Sequence, residues 1–138
     1  MKYYLLAFIF FLSYCPIVSA ERFDVVEVNP LSSVGIVKVQ ASGKNELIVE
    51  HNLSSESIFI ECFINGFTFS KEHEGSLPQE GEGHIRLYVE DNHVATLFQP
   101  AFYIENLQSG THEIKIMVVN NDRSPYEGLE ETLVITIP

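Results

Sequence analysis

Between residues 58 and 64 the chain reads Ile, Phe, Ile, Glu, Cys, Phe, Ile. In an extended strand this places Ile58, Ile60, Cys62 and Ile64 on one face and Phe59 and Phe63 on the other. Either both faces of that strand are covered, or Phe59 and Phe63 form an aromatic strip open to a partner. Upstream, Glu21 to Asn29 fits an edge strand ended by Asn29-Pro30. Val34–Gln40 and Glu46–His51 form a hairpin pattern about the turn Ala41–Asn45, and Asn52 to Ser57 reads as a polar connection. Gly66 permits a bend before Phe67-Thr68-Phe69.

The second half repeats the period. His84–Glu90 and His93–Gln99 read as strands joined by Asp91-Asn92, residue types that accept the positive φ angles of a two-residue hairpin turn. In that register Ile85, Leu87, Val89, Val94, Thr96 and Phe98 face inward. His84, Arg86, Tyr88, Glu90, His93, Ala95 and Leu97 face outward. Ala101–Ile104 is a short further strand. In Thr111–Asn120 the residues Ile114, Ile116 and Val118 point inward, with His112 on the same side at the strand's mouth, where a backbone carbonyl would satisfy it. A polar loop from Asn121 to Glu130 precedes a closing strand, Thr132–Pro138, in which Leu133, Ile135 and Ile137 alternate with Thr132, Val134 and Thr136. Seven or eight short strands without a helical period predict an all-β fold, a single immunoglobulin-like antiparallel β-sandwich.

That domain is expected to span residues 21–138, behind a signal peptide at 1–20. Lys2 precedes an apolar run from Tyr3 to Leu12, and Val18-Ser19-Ala20 places small residues at the positions a signal peptidase reads. The run is too short to cross a membrane comfortably. Lipid attachment at Cys15 is the rival reading, weakened by the bulky Tyr14 before it. Once the leader is removed, 19 acidic residues stand against seven basic ones (eight less Lys2), a net charge of −12 (7 − 19). Such a field disfavours nucleic acid and anionic lipid as partners. Cys62 is then the only cysteine, so no intramolecular disulfide forms, and its apolar face predicts an inert buried thiol.

Ser70 to Gly83 carries Glu72, Glu74, Glu80 and Glu82 around His73, but lacks the alternating oxygen ligands of a calcium loop, so it reads as a solvated acidic loop. No nucleophile elbow, zinc-binding helix or phosphate loop occurs. His84 and Asp122 are acid–base candidates with no nucleophile or cofactor beside them. The chain is thus read as having no catalytic residues and no cofactor.

From Gly81 onward the order of motifs is more telling: Gly81-Glu82-Gly83-His84-Ile85-Arg86-Leu87-Tyr88-Val89, then Val94-Ala95-Thr96-Leu97-Phe98-Gln99-Pro100, Gly110-Thr111-His112, and Asn121-Asp122-Arg123-Ser124-Pro125. This resembles a family of small secreted bacterial proteins of unknown function. Their pattern runs G-x-G-H-x-H-L-Y-V, V-A-x-L-x-x-P, G-x-H and N-D-H-S-P. The resemblance implies a sandwich fold and export, with no known activity. It also marks two departures, because Arg86 and Arg123 stand where the relatives carry histidines. Guanidinium groups stay protonated and cannot ligate a metal. His84, Arg86, Asp122 and Arg123 are therefore expected to form a structural ion-pair cluster or weak anion site, with no metal ligands. The functional expectation is an exported, non-enzymatic binding or interaction module, periplasmic or extracellular, whose partner is a protein or small ligand. The alternative is a periplasmic copper- or zinc-handling protein with a degenerate histidine site.

Overall fold

The computed structural model describes residues 25–31, 46–55 and 57–138. The expected leader, the expected strand over Val34–Gln40 and the expected turn Ala41–Asn45 lie outside the described residues. Nine strands are found among those described: β1 Glu27–Pro30, β2 Leu47–Leu53, β3 Ser57–Ile64, β4 Thr68–Phe69, β5 Glu82–Val89, β6 Asn92–Leu97, β7 Ala101–Glu105, β8 Gly110–Val119 and β9 Pro125–Ile137. They form two sheets facing each other as an immunoglobulin-like sandwich, and no helix interrupts them. One sheet has the order β1-β7-β3-β2. The other runs β4-β5-β8-β9, with β6 also pairing β5. All pairings are antiparallel except the short β4–β5 contact.

The core is the sum of the inward faces that the alternation predicted. Ile58, Ile60 and Cys62 of β3 and Phe102 and Ile104 of β7 meet Ile85, Leu87 and Val89 of β5 and Ile114, Ile116 and Val118 of β8. Each buried aliphatic or aromatic side chain of this kind contributes about 1.5–3 kcal/mol. Burial, and next the neighbouring Glu61 carboxylate, push the Cys62 thiol up to about 12, as an inert thiol requires.

Three local expectations are corrected. First, Asn52–Ser57 is not a long connection. β2 continues to Leu53 and pairs with β3 along its whole length, and Ser54 N–H donates to the Ser57 carbonyl at 2.8 Å. Second, the β5–β6 turn sits one residue earlier than expected, at Glu90 and Asp91, both with positive φ (50° and 60°). The Glu90 carboxylate is drawn to β8, accepting from Glu113 N–H at 3.2 Å, while the Asn92 side chain donates to the Glu90 carbonyl. A register shift follows between Leu87 and Tyr88, so that Leu87 pairs with Ala95 and Ile85 with Leu97. Because the side-chain period is two, this shift exchanges the faces of β6 from Ala95 onward, while His93 keeps the outer side opposite Tyr88. Leu97 enters the core, and Phe98 lies beside His84 on the outer side. Third, the expected loop Asn121–Glu130 is mostly strand. β9 begins at Pro125, where the missing N–H is tolerated. At the register shift opposite Met117–Val119, Gly128 takes φ 77° and Leu129 is fully buried.

Candidate functional site

β5 turns His84 and Arg86 away from the core, as expected from parity. His84 is nevertheless 0% exposed, because the segment Ser70–Gly81 folds back over this face. That segment is fastened at several points. Gly75 N–H donates to the Asn121 carbonyl at 2.7 Å, and Arg123 Nη2 donates to Glu74 Oε1 at 3.1 Å. His73 Nδ1 lies 2.6 Å from Glu82 Oε1, and Gly81 N–H donates to the Tyr126 hydroxyl at 3.2 Å. The Phe98 ring packs 5.3 Å from the His84 ring, and the Lys71 ammonium stands 5.8 Å from the Phe98 centroid. The segment is still the solvated acidic loop of the sequence reading, most of its residues being exposed, and these fastenings make it a docked polar lid as well.

Beneath it, neither ring nitrogen of His84 has a hydrogen-bond partner among the described residues, and the same holds for Asn121 Oδ1. Burial pushes the His84 pKa below the usual histidine range. Glu74 opposes that effect, while Arg123 and Arg86 add to it. The ring is therefore neutral at physiological pH.

The four residues expected to cluster come together only in part. Arg86 and Arg123 are near enough to His84 to affect its charge. Arg86 stacks at 5.7 Å over Tyr88 on its own strand. Asp122 joins neither arginine. Its carboxylate accepts from Ser124 Oγ at 2.6 Å and Ser124 N–H at 3.0 Å, closing a tight turn. The hydroxyl bond, then the amide bond, hold its pKa below the usual carboxylate range. Local closure wins because a side chain two residues away is reached without ordering a long arginine. The actual partner of Arg123 is Glu74, 49 residues upstream, a pairing with no local signature. Among the described residues no group of three or more His, Cys, Asp and Glu side chains is placed to hold a metal ion. His112 sits at the mouth of β8, with Nε2 donating to the Gln108 carbonyl at 2.8 Å and Nδ1 3.2 Å from Glu90 Oε1.

A second surface develops from the aromatic face of β3. Cross-strand register places residues in rows on the outer side of the four-stranded sheet. Glu27 stands opposite Glu105; next come Asn29, Tyr103 and Phe59; then Ala101, Glu61 and Glu50; then Phe63 and Ile48. Successive rows are about 7 Å apart. The Phe59 and Tyr103 rings pack at 5.3 Å with an interplanar angle of 51° and are half-buried. The strip was legible in the alternation of β3. Its completion by Tyr103 was not, because β7 joins this sheet only after the chain crosses over from β6.

No family model, no curated protein and no solved structure matches this chain. No helix among the described residues is long and apolar enough to cross a membrane.

Proposed function

We propose that this chain is an exported, non-enzymatic binding or interaction module that works outside the cytoplasm, in the periplasm or beyond. The observation that carries the reading is the Phe59–Tyr103 row, half-buried on a sheet face and bordered on both sides by carboxylates. A face of this composition supports recognition, since aromatic side chains contribute large contact area with few rotatable bonds. The histidine patch supports a structural role instead, since its imidazole is sealed and two of its positions hold guanidinium groups that cannot ligate. The resemblance to small secreted proteins and the leader pattern support export as part of the same proposal.

Intact mass of the exported product tests the compartment, with a mature chain beginning at Glu21 expected and a lipidated species at Cys15 contradicting a soluble product. The interaction face is tested by installing photoreactive benzoylphenylalanine in place of Tyr103 or, as a control on the other sheet, Val134, which is 71% exposed. Discrete adducts from position 103 alone are expected. Adducts from neither position, or the same adducts from both, would refute the reading.

A further inference from the structure

We infer that the partner of the Phe59–Tyr103 face is a basic polypeptide segment, one that presents lysine or arginine side chains in extended conformation. The inference rests on the interaction reading above and adds the chemistry of the partner. Among the described residues charge is segregated between the two sheets. Among the described residues Lys71, Arg86, Lys115 and Arg123 are the Lys and Arg, and all four belong to the β4-β5-β8-β9 sheet or its connections. Strands β1, β2, β3 and β7 carry Glu27, Glu50, Glu61 and Glu105 and no lysine or arginine.

These carboxylates are not scattered. Glu27 is directly opposite Glu105, and Glu50 directly opposite Glu61. Like charges in that relation destabilise a sheet. At the first pair Asn29 Nδ2 donates to Glu105 Oε2 at 2.7 Å and reaches Glu27 Oε1 at 3.4 Å, which moderates the repulsion. The second pair has no such bridge. Glu61 is only 8% exposed and makes no hydrogen bond or ion pair among the described residues. Two carboxylates held side by side repel each other, a cost that a delivered cation relieves.

The row between the two pairs points to the same partner. The faces of Phe59 and Tyr103 carry the negative lobe of the ring quadrupole and attract ammonium or guanidinium groups. Along the strand direction Glu105 and Glu61, on neighbouring strands, are four residues apart, about 13 Å. In an extended segment, side chains at i, i+2 and i+4 point to one side with the same repeat. Cations at i and i+4 would reach the two carboxylate pairs, and an apolar or cationic side chain at i+2 would lie on the aromatic row.

The probe is a nine-residue peptide with lysine at its third and seventh positions, leucine at its fifth and glycine or serine elsewhere. It is titrated into the 15N-labelled full mature chain. Expected are amide shifts confined to β1, β2, β3 and β7, weakening with salt, and affinity reduced roughly tenfold by the double change Glu50→Gln with Glu61→Gln. Glu130→Gln with Glu131→Gln, on the other sheet, should leave affinity unchanged. Equal binding of the same peptide with glutamate for lysine would overturn the inference. Equal loss in the β9 variant would do so too, by exposing a diffuse acidic attraction, as would the same shifts from calcium alone. If position 103 yields adducts but the lysine peptide leaves the face unshifted, the basic partner is wrong and the interaction face stands; absence of adducts removes the reading on which it rests.

Discussion

Replacing His84 by leucine should make the protein less sensitive to acid without weakening it at neutral pH. The ring is fully buried, and neither nitrogen finds a partner among the described residues. Burying an unsatisfied polar group costs about 1–3 kcal/mol, whereas an apolar replacement of similar volume removes that cost. At pH 7.5, His84→Leu should therefore be neutral or more stable by about 1 kcal/mol, once imperfect packing against Phe98 is allowed for. The pH dependence follows from the direction of the shift. Burial lowers the folded-state pKa below the reference value of 6.5, so the unfolded chain binds the proton more tightly. Well above pH 6.5 neither state is protonated, and stability is complete. As pH falls through 6.5 the unfolded chain takes up a proton that the folded one refuses, and stability drops by at most about 1.4 kcal/mol per pH unit until the folded-state pKa is reached.

Urea unfolding at pH 7.5, 6.5 and 5.5 gives the test. The wild type should lose stability over this range with a component that is absent from His84→Leu. His93, held low by burial and then by Arg86, supplies a background slope common to both proteins. Hydrogen exchange adds a local readout. The Gly75 amide, bonded to the Asn121 carbonyl, should lose protection as the lid opens in acid, and should keep it in the variant. A leucine variant destabilised by more than about 2 kcal/mol at pH 7.5 would show that the imidazole makes stabilising polar contacts. An unchanged acid slope would show that His84 is protonated as readily in the folded protein as in the unfolded chain. Either result would refute the reasoning.

Gly83→Ala should cost about 2 kcal/mol or more, because the added Cβ would clash with the Val119 carbonyl oxygen and lie 3.1 Å from Phe67 Cζ; a variant with unchanged urea midpoint would mean that β5 and β8 separate freely. Glu61→Gln should stabilise the protein at neutral pH by about 0.5 kcal/mol, the scale of a like-charge cross-strand pair. Burial and then Glu50 raise the Glu61 pKa, so the carboxylate's penalty disappears as it protonates. The gain should therefore shrink as pH falls into the carboxylate range, and a gain that grows in acid would contradict the assignment. Cys62, with its thiol near 12, should resist thiol reagents in native buffer at pH 8 and react fully in denaturant; rapid labelling of the folded protein would overturn the placement of β3.

Period-two alternation by itself determined the fold class and most of the core. Ile58, Ile60, Cys62, Ile85, Leu87, Ile114 and Ile116 are where the pattern put them, because a strand's side chains alternate whatever it is paired with. Local chemistry also sufficed for His112, whose nearest acceptor is a carbonyl four residues away. Tertiary structure decided whatever depended on a distant partner. The β5–β6 turn moved one residue because Glu90 is held by β8, and the separate register shift between Leu87 and Tyr88 sent Leu97 inward and Phe98 out to His84. The Ser70–Gly81 lid was legible as a polar segment but not as a cover, since its fastenings join Glu74 to Arg123 and Gly75 to Asn121. Likewise the sequence marks Phe59, Glu61 and Tyr103 separately, while only the crossing of the chain from β6 to β7 sets them on one face. Alternation is a property of each strand alone, but the pairing of strands is chosen by which arrangement buries all their apolar faces at once.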